Sequence, residues 1–262
     1  MSSSVSANAK SMETGERGPI NHSGPSSSFV RNVLALLERT EYRRCESGED
    51  LEAMYRLRYK AYRPHGFVSE SPARSTKDDL DELPNSHVFG IYIDNCLVST
   101  VRLHQIDRDN PHGPVTKGFG DIVRPIIDRG DSIINPSMFA ADPDVAREYR
   151  VLPYVSLRLV IVGYEYFRST YCACLIRQEH TAFYQRIFGA RQMSAPRQYP
   201  PISIPLMLYG GECAKEFGPI VSRFPFFHST PAEQRLLFGQ PGEGETTPLT
   251  VLPTAKYLHH AA

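Results

Sequence analysis

The sequence of 262 residues has no excess charge of either sign: 29 Lys and Arg balance 29 Asp and Glu. With no net field to draw in a polyanion or an acidic lipid surface, non-specific nucleic-acid or membrane-surface binding is excluded as its main activity. No run approaches the roughly 20 apolar residues that span a bilayer, and the N-terminal stretch has no apolar segment for secretion. The reading is a soluble, cytoplasmic protein without a transmembrane segment. Its five cysteines form no C-x-x-C pair and no zinc spacing. Cys172 and Cys174 lie two apart, on one face of a strand, and read as reduced, buried thiols that behave as small hydrophobes. His259 and His260 sit near the C-terminus without carboxylate support and read as an exposed tail. G-x-G-x-x-G, G-K-[ST] and H-E-x-x-H are all missing, so dinucleotide, P-loop and zinc-hydrolase chemistry have no carrier. No metal and no permanently bound cofactor is expected.

What is present is enough for a core, with 41% hydrophobic residues. Residues 1–28 are rich in Ser, Gly, Asn and Pro and read as a disordered arm. A short helix starts near Phe29, and a brief strand covers 42–45. Ser47 caps a helix running to about Tyr62, with Leu51, Met54, Tyr55, Arg58 and Tyr62 on one stripe. HVFGIYI and CLVSTVRLH flank Asp94-Asn95 and predict a β-hairpin. SIINPSMFAA reads as a strand whose Pro136 has no N–H for the ladder, placing it at an edge or where two strands part. VLPYVSLRLVIVGYEYF has helical spacing, and YCACLIR reads as a buried central strand. EHTAFYQRIFG is a helix capped by Gly189, ISIPLMLYG a late strand, and Thr230 opens a short helix to Gly239. The order predicts one α/β domain over 29–228, with a mixed sheet and helices on its faces. Residues 229–262 form a C-terminal extension with a short helix.

Arg58 points inward on its stripe, where a guanidinium needs carboxylate partners, and Asp78, Asp79, Asp81 and Glu82 are the nearest supply. Arg102 stands on the second hairpin strand with Val98, Thr100 and His104 on its face. Two Arg and several Asp in one cleft suit a zwitterionic amino acid, guanidinium to carboxylate and carboxylate to ammonium. A structural ion-pair network is the alternative reading.

YRLRYKAY, DDLDELPNSHVFGIY, STVRLH, INPSMFAADP, LPYVSLRL and YCACLIRQEHTAFYQRIFG, in that order over about 42–210, resemble the N-acyl amino acid synthases of the FeeM type. More distantly they are similar to the acyl-homoserine-lactone synthases. The resemblance implies a GNAT-like acyltransferase fold, with a mixed, mostly antiparallel sheet whose central strands splay to admit a thioester arm. It implies that Arg58, Asp78, Asp81 and Arg102 line the amine side. It further implies that Asn135 to Ala140, including Ser137 and Phe139, form the splayed strand beside the pantetheine arm, with Tyr184 near the thioester. The lactone synthases usually carry Glu and Arg where this chain has Asn135 and Met138, and an acid in place of Thr76, which argues against homoserine-lactone chemistry.

Aminolysis of a thioester needs a free amine, alignment and oxyanion donors. An α-amine with a pKa near ~8 is largely protonated at neutral pH, so a carboxylate is expected to take its proton. Asp81 is the first candidate and Glu179 the second, with Asn135 placed at the reacting centre. The co-substrate is an acyl-phosphopantetheine thioester on acyl carrier protein, with acyl-CoA the lesser alternative because no glycine-rich pyrophosphate loop precedes the long helix. Arg147, Arg150 and Arg158 stand there instead, as contacts for an acidic carrier. An acetyl-CoA-dependent acetyltransferase and a catalytically inactive binding module, the latter motivated by Asn135 and Met138, are the competing readings.

Overall fold

The computed structural model describes residues 27–46, 48–200, 202–240 and 248–259. The N-terminal arm up to residue 26, the cap expected of Ser47 and the tail histidine His260 lie outside the described residues. Helix α1 (Ser28–Leu37) and strand β1 (Thr40–Arg44) precede α2 (Gly48–Tyr62). Strands β2 (Ser86–Ile93) and β3 (Cys96–Ile106) lead through α3 (Pro114–Asp128) to β4 (Ile133–Ala141). Helices α4 (Pro143–Glu148) and α5 (Leu152–Phe167) cross to β5 (Tyr171–Ile176) and α6 (Thr181–Phe188). Then come β6 (Arg191–Gln192), β7 (Arg197–Tyr199), β8 (Ile202–Glu212), α7 (Cys213–Arg223), α8 (Pro231–Phe238), β9 (Thr250–Val251) and α9 (Ala255–His259).

The described strands form one sheet in the order β6-β8-β5-β4-β3-β2-β1-β9, with β7 added to β8. Asp94 and Asn95 both have positive φ, 49° and 64°, the geometry a two-residue hairpin turn requires. One sheet face packs on α1, α5, α7 and α8, through Val101, Leu103 and Ile134 of the strands and Leu36, Val155, Leu159, Phe217 and Phe238 of the helices. The other face carries α3, through Ile106, Val123 and Ile133, and α2, through Met54, Tyr55 and Val88. Helix α5 is buried over 155–163 on every side.

Two bulges decide which side chains share a face. Ile91 pairs with Ser99 but Tyr92 with Leu97, so β3 carries one extra residue, Val98. Val98 therefore packs with Val101 in the α5 core and not, as strict alternation predicts, beside Arg102. On β4, Arg102 pairs with Ser137 but Thr100 with Ala140, and Met138 takes a left-handed φ of 50°. For a residue with a Cβ this costs about 1–2 kcal/mol, the kind of strain that clusters at working sites.

Among the described residues all pairings are antiparallel except β4 with β5, which run parallel and match only at Ile133 with Tyr171 and Ile134 with Cys172. Beyond them Pro136 has no N–H to offer and the strands part. Asn135 closes the gap's narrow end: its Nδ2 donates to Ala173 O of β5 (2.8 Å), and its Oδ1 accepts from Val115 N–H of α3 (3.2 Å).

The C-terminal extension belongs to the same core. Leu237 and Phe238 of α8 are buried against α5, and β9 pairs with β1. Helix α7 has no counterpart among the elements expected from the sequence. It forms because Phe217 and Ile220 are buried against the core.

Candidate active site

Where β4 and β5 part, a cleft opens between the bulge residues Ser137, Met138 and Phe139 on one side and Cys174 to Ile176 on the other. Tyr62 of α2, Tyr184 of α6, and Ile202, Ile204 and Leu206 of β8 complete its walls, with Phe67, Arg177 and His180. The Tyr62 hydroxyl donates to Phe139 O at 3.0 Å and so anchors the bulge to α2. Burial pushes the Tyr62 phenol up to about 12 and raises that of Tyr184 further, so both stay protonated at neutral pH.

A second, narrow apolar pocket shares Pro136, Leu157, Cys174 and Tyr184 with the cleft and continues it inward. Its further walls are Val160, Cys172, Phe188, Ala190 and Phe217, and among the described residues Glu216 is the one formally charged residue lining it, 3.6 Å from Arg191. Cys172 and Cys174 thus contribute sulfur to an apolar wall. Burial alone raises the Cys174 thiol to about 12, and it remains a neutral hydrophobe.

The charged residues singled out in the sequence gather beside the cleft and not in it. Arg58 binds both oxygens of Asp81 (Nη1 to Oδ2 2.7 Å, Nη2 to Oδ1 3.0 Å), and Arg102 donates to Asp81 Oδ1 (3.1 Å) and Asp78 Oδ2 (2.9 Å). The side chains of Arg58, Arg102 and Asp81 are at most 2% exposed. Asp81 also accepts from Asp78 N–H, and Asp78 from Leu80 N–H, which fixes the turn at 78–82. His104 Nε2–H donates to Leu80 O at 2.9 Å. Burial and the Arg102 charge hold it near 3, so it is neutral. Arg102 Nε–H reaches Ser137 Oγ (2.9 Å), and Ser137 lines the cleft. The network therefore positions the bulge. Both Asp81 oxygens are occupied, so Asp81 cannot take a substrate proton without giving up an ion pair, and the sequence-based assignment of it as proton acceptor is withdrawn.

Three further expectations change. Asn135 is fully buried and spends its amide on the β4–β5 seam and α3, a positioning role. Glu179 is exposed and lies outside the cleft lining, 3.5 Å from Arg177. Arg158 is wholly buried: its Nη2 donates to Glu233 Oε2 (3.0 Å) and its Nε to Phe226 O (2.8 Å), so it cannot meet a carrier protein. Arg147, paired with Asp144, and Arg150 are exposed, and Ala140 is buried opposite Thr100. Ser137, Phe139 and Tyr184 line the cleft.

Sequence reasoning missed Tyr62 as a cleft residue, and Phe67, Arg177 and His180 altogether. The available signal was the polar run Arg177 to His180 directly after a wholly apolar strand, since the carboxyl ends of strands are where open sheets present ligand-binding groups. Phe67 carried no signal. It reaches the site because Ser203 N–H of β8 bonds to its carbonyl oxygen at 3.3 Å.

A family model described as "N-acyl amino acid synthase FeeM" matches residues 53–212. Among solved structures, the chain is similar to FeeM, an N-acyl amino acid synthase from uncultured soil microbes. The identity is 18% over 68% of this chain and 92% of that one, with a TM-score of 0.53. It is also similar to BjaI, a CoA-dependent acyl-homoserine lactone synthase solved with SAM and isopentyl-CoA (14% identity, 66% and 81% coverage, TM-score 0.49). No curated protein sequence matches the chain.

Proposed function

The chain belongs to the FeeM family of N-acyl amino acid synthases and is an N-acyltransferase of GNAT-like fold, and from that premise we propose its donor, acceptor and chemistry. It moves a fatty acyl group from the phosphopantetheine thioester of an acyl carrier protein to the α-amine of an amino acid. The observation that carries this reading is the apolar cavity that continues the β4–β5 cleft inward, because an acetyl group has no use for it and a fatty chain does. Each methylene placed there is worth about 0.8 kcal/mol.

In this reading the pantetheine arm lies in the gap between β4 and β5, where its amides take up strand hydrogen-bonding groups that the splay and the bulge leave without a ladder partner. The thioester carbonyl sits by Met138 and Phe139, and backbone N–H groups released by the bulge hold the oxyanion, an effect worth roughly 3 kcal/mol per donor in other enzymes. The amine nitrogen attacks the thioester carbon, the C–S bond breaks, and one proton moves overall from nitrogen to sulfur. Among the described residues lining the cleft, His180 is the neutral base, kept so first by burial and then by the Arg177 charge. Tyr184, at the junction of cleft and cavity and held protonated by burial, supplies the proton to the departing thiolate.

A carrier donor is supported by the segment between β4 and α5. It has no glycine-rich turn to cradle a pyrophosphate and carries the exposed Arg147 and Arg150. Acyl-carrier protein is expected to outperform acyl-CoA of equal chain length in a steady-state assay of amide formation. Charge reversal at Arg147 and Arg150 raises the apparent KM for the carrier donor alone, an effect that fades as salt shortens the Debye length below about 8 Å. Equal use of both donors at low salt, indifferent to the reversals, contradicts the carrier donor.

A further inference from the structure

Arg58, Arg102 and Arg158 are each bound by carboxylates at hydrogen-bonding distance, and each is buried behind the cleft or far from it. Arg177 is placed differently. It follows the last residue of β5 and lines the cleft itself. Its nearest carboxylate, Glu179, stands 3.5 Å away, is largely exposed and does not line the cleft. Its Nη2 donates to the neutral His180 ring at 3.3 Å, and its buried Nε, which makes no hydrogen bond, is the atom that stands 3.5 Å from Glu179 Oε2. The guanidinium carbon lies over the Phe67 ring, 4.3 Å from its centroid, a contact that leaves guanidinium N–H groups to meet a planar anion. No carboxylate lines the cleft among the described residues, so a bound anion there faces a cation and no like charge.

Resting on the acyl-transfer reading above, we propose that Arg177 is the binding site for the α-carboxylate of the amino-acid acceptor, held in the fork of its guanidinium. The amino group, two bonds from the carboxylate carbon, then lies in the same cleft as the bulge and His180. A carboxylate that takes Nη2 releases His180 Nε2 from its present bond, so seating the acceptor also frees the base. The site replaces the Arg58 and Arg102 pair that the sequence offered for this task. Those guanidiniums are already spent on Asp78, Asp81 and Ser137.

A phosphate of the donor's pantetheine arm has related anion chemistry, and the test separates the two. Wild type, Arg177→Gln and Arg177→Lys are assayed with pairs that differ only in the carboxylate: leucine with 3-methylbutylamine, and phenylalanine with 2-phenylethylamine. Wild type is expected to favour the amino acid by roughly 10- to 100-fold in kcat/KM, the size of a charge-assisted hydrogen-bond pair. Arg177→Gln collapses that ratio toward one by raising the acceptor KM with the donor KM unchanged, and Arg177→Lys restores part of it. Circular dichroism confirms that each variant is folded. A ratio unmoved in folded Arg177→Gln overturns the site, and a donor KM that rises while the ratio stands assigns Arg177 to the phosphate instead. Wild type acylating amines and amino acids alike also overturns the site while acyl transfer survives. Wild type acylating neither overturns the acyl-transfer reading and the site with it.

Discussion

Asp81→Ala is expected to destabilise the protein by about 3–5 kcal/mol, because it leaves two buried guanidiniums, those of Arg58 and Arg102, short of their shared counter-ion. Against a total stability of about 5–15 kcal/mol this is a large fraction, and urea titration followed by circular dichroism should find a midpoint lowered accordingly. The charge can be tested without removing the shape. Burial alone would raise the Asp81 pKa, but the Arg58 hydrogen bonds and the Arg58 and Arg102 charges more than offset it and hold it below the ordinary aspartate value. A carboxyl depressed in the folded state stabilises at every pH above its unfolded pKa of about 3.9, and that contribution disappears as pH falls through the lower folded value. Wild-type stability therefore drops with acid in that window, and Asp81→Asn flattens this part of the curve. Folded Asp81→Asn should keep the wild-type pH dependence of kcat, since the residue positions Arg102 and Ser137 and accepts no substrate proton.

Glu233→Ala is expected to cost as much, again about 3–5 kcal/mol, by stranding Arg158 in the middle of α5 with no exposure to water. Glu233 also accepts from Thr254, through Oγ1 at 2.6 Å and N–H at 3.0 Å, so one carboxylate ties α5, α8 and the segment before α9 together. The double variant Arg158→Met with Glu233→Leu should recover most of the loss, because a buried ion pair replaced by apolar groups of similar size is often neutral or stabilising. If the single variant melts at the wild-type temperature, the C-terminal extension is not part of the folding unit.

The two clusters show how far a sequence carries an argument of this kind. The amphipathic stripe of α2, the Asp94-Asn95 hairpin and the apolar repeat of α5 were legible because each depends on neighbours within a few residues. Pro136 announced the parting of β4 from β5 because a missing N–H is a local fact. Arg58 was legible as a residue needing a carboxylate, but not as one fully satisfied, since satisfaction depends on where the turn at 78–82 lands. Arg158 misled for the same reason: its partner lies 75 residues away on an element that looks like an appendage. Val98 changed face because a bulge, invisible in the alternating pattern, adds one residue to β3. Arg177 was passed over because its significance is its place in a cleft that no carboxylate lines among the described residues, and only the assembled cleft reveals that.

In the proposed reaction the acyl chain enters the apolar cavity behind the cleft, and the acyl-length profile of Val160→Phe reports on that entry. Val160 lines that cavity and is buried on α5, so the larger ring fills space otherwise open to the chain. Overpacking should cost no more than about 1–3 kcal/mol, leaving the variant folded. In the variant, kcat/KM for the longest acyl donors is expected to fall, by about fourfold for each methylene denied burial, while short-chain donors are turned over as by wild type. A folded variant whose profile superimposes on the wild type would contradict it and place the acyl chain elsewhere.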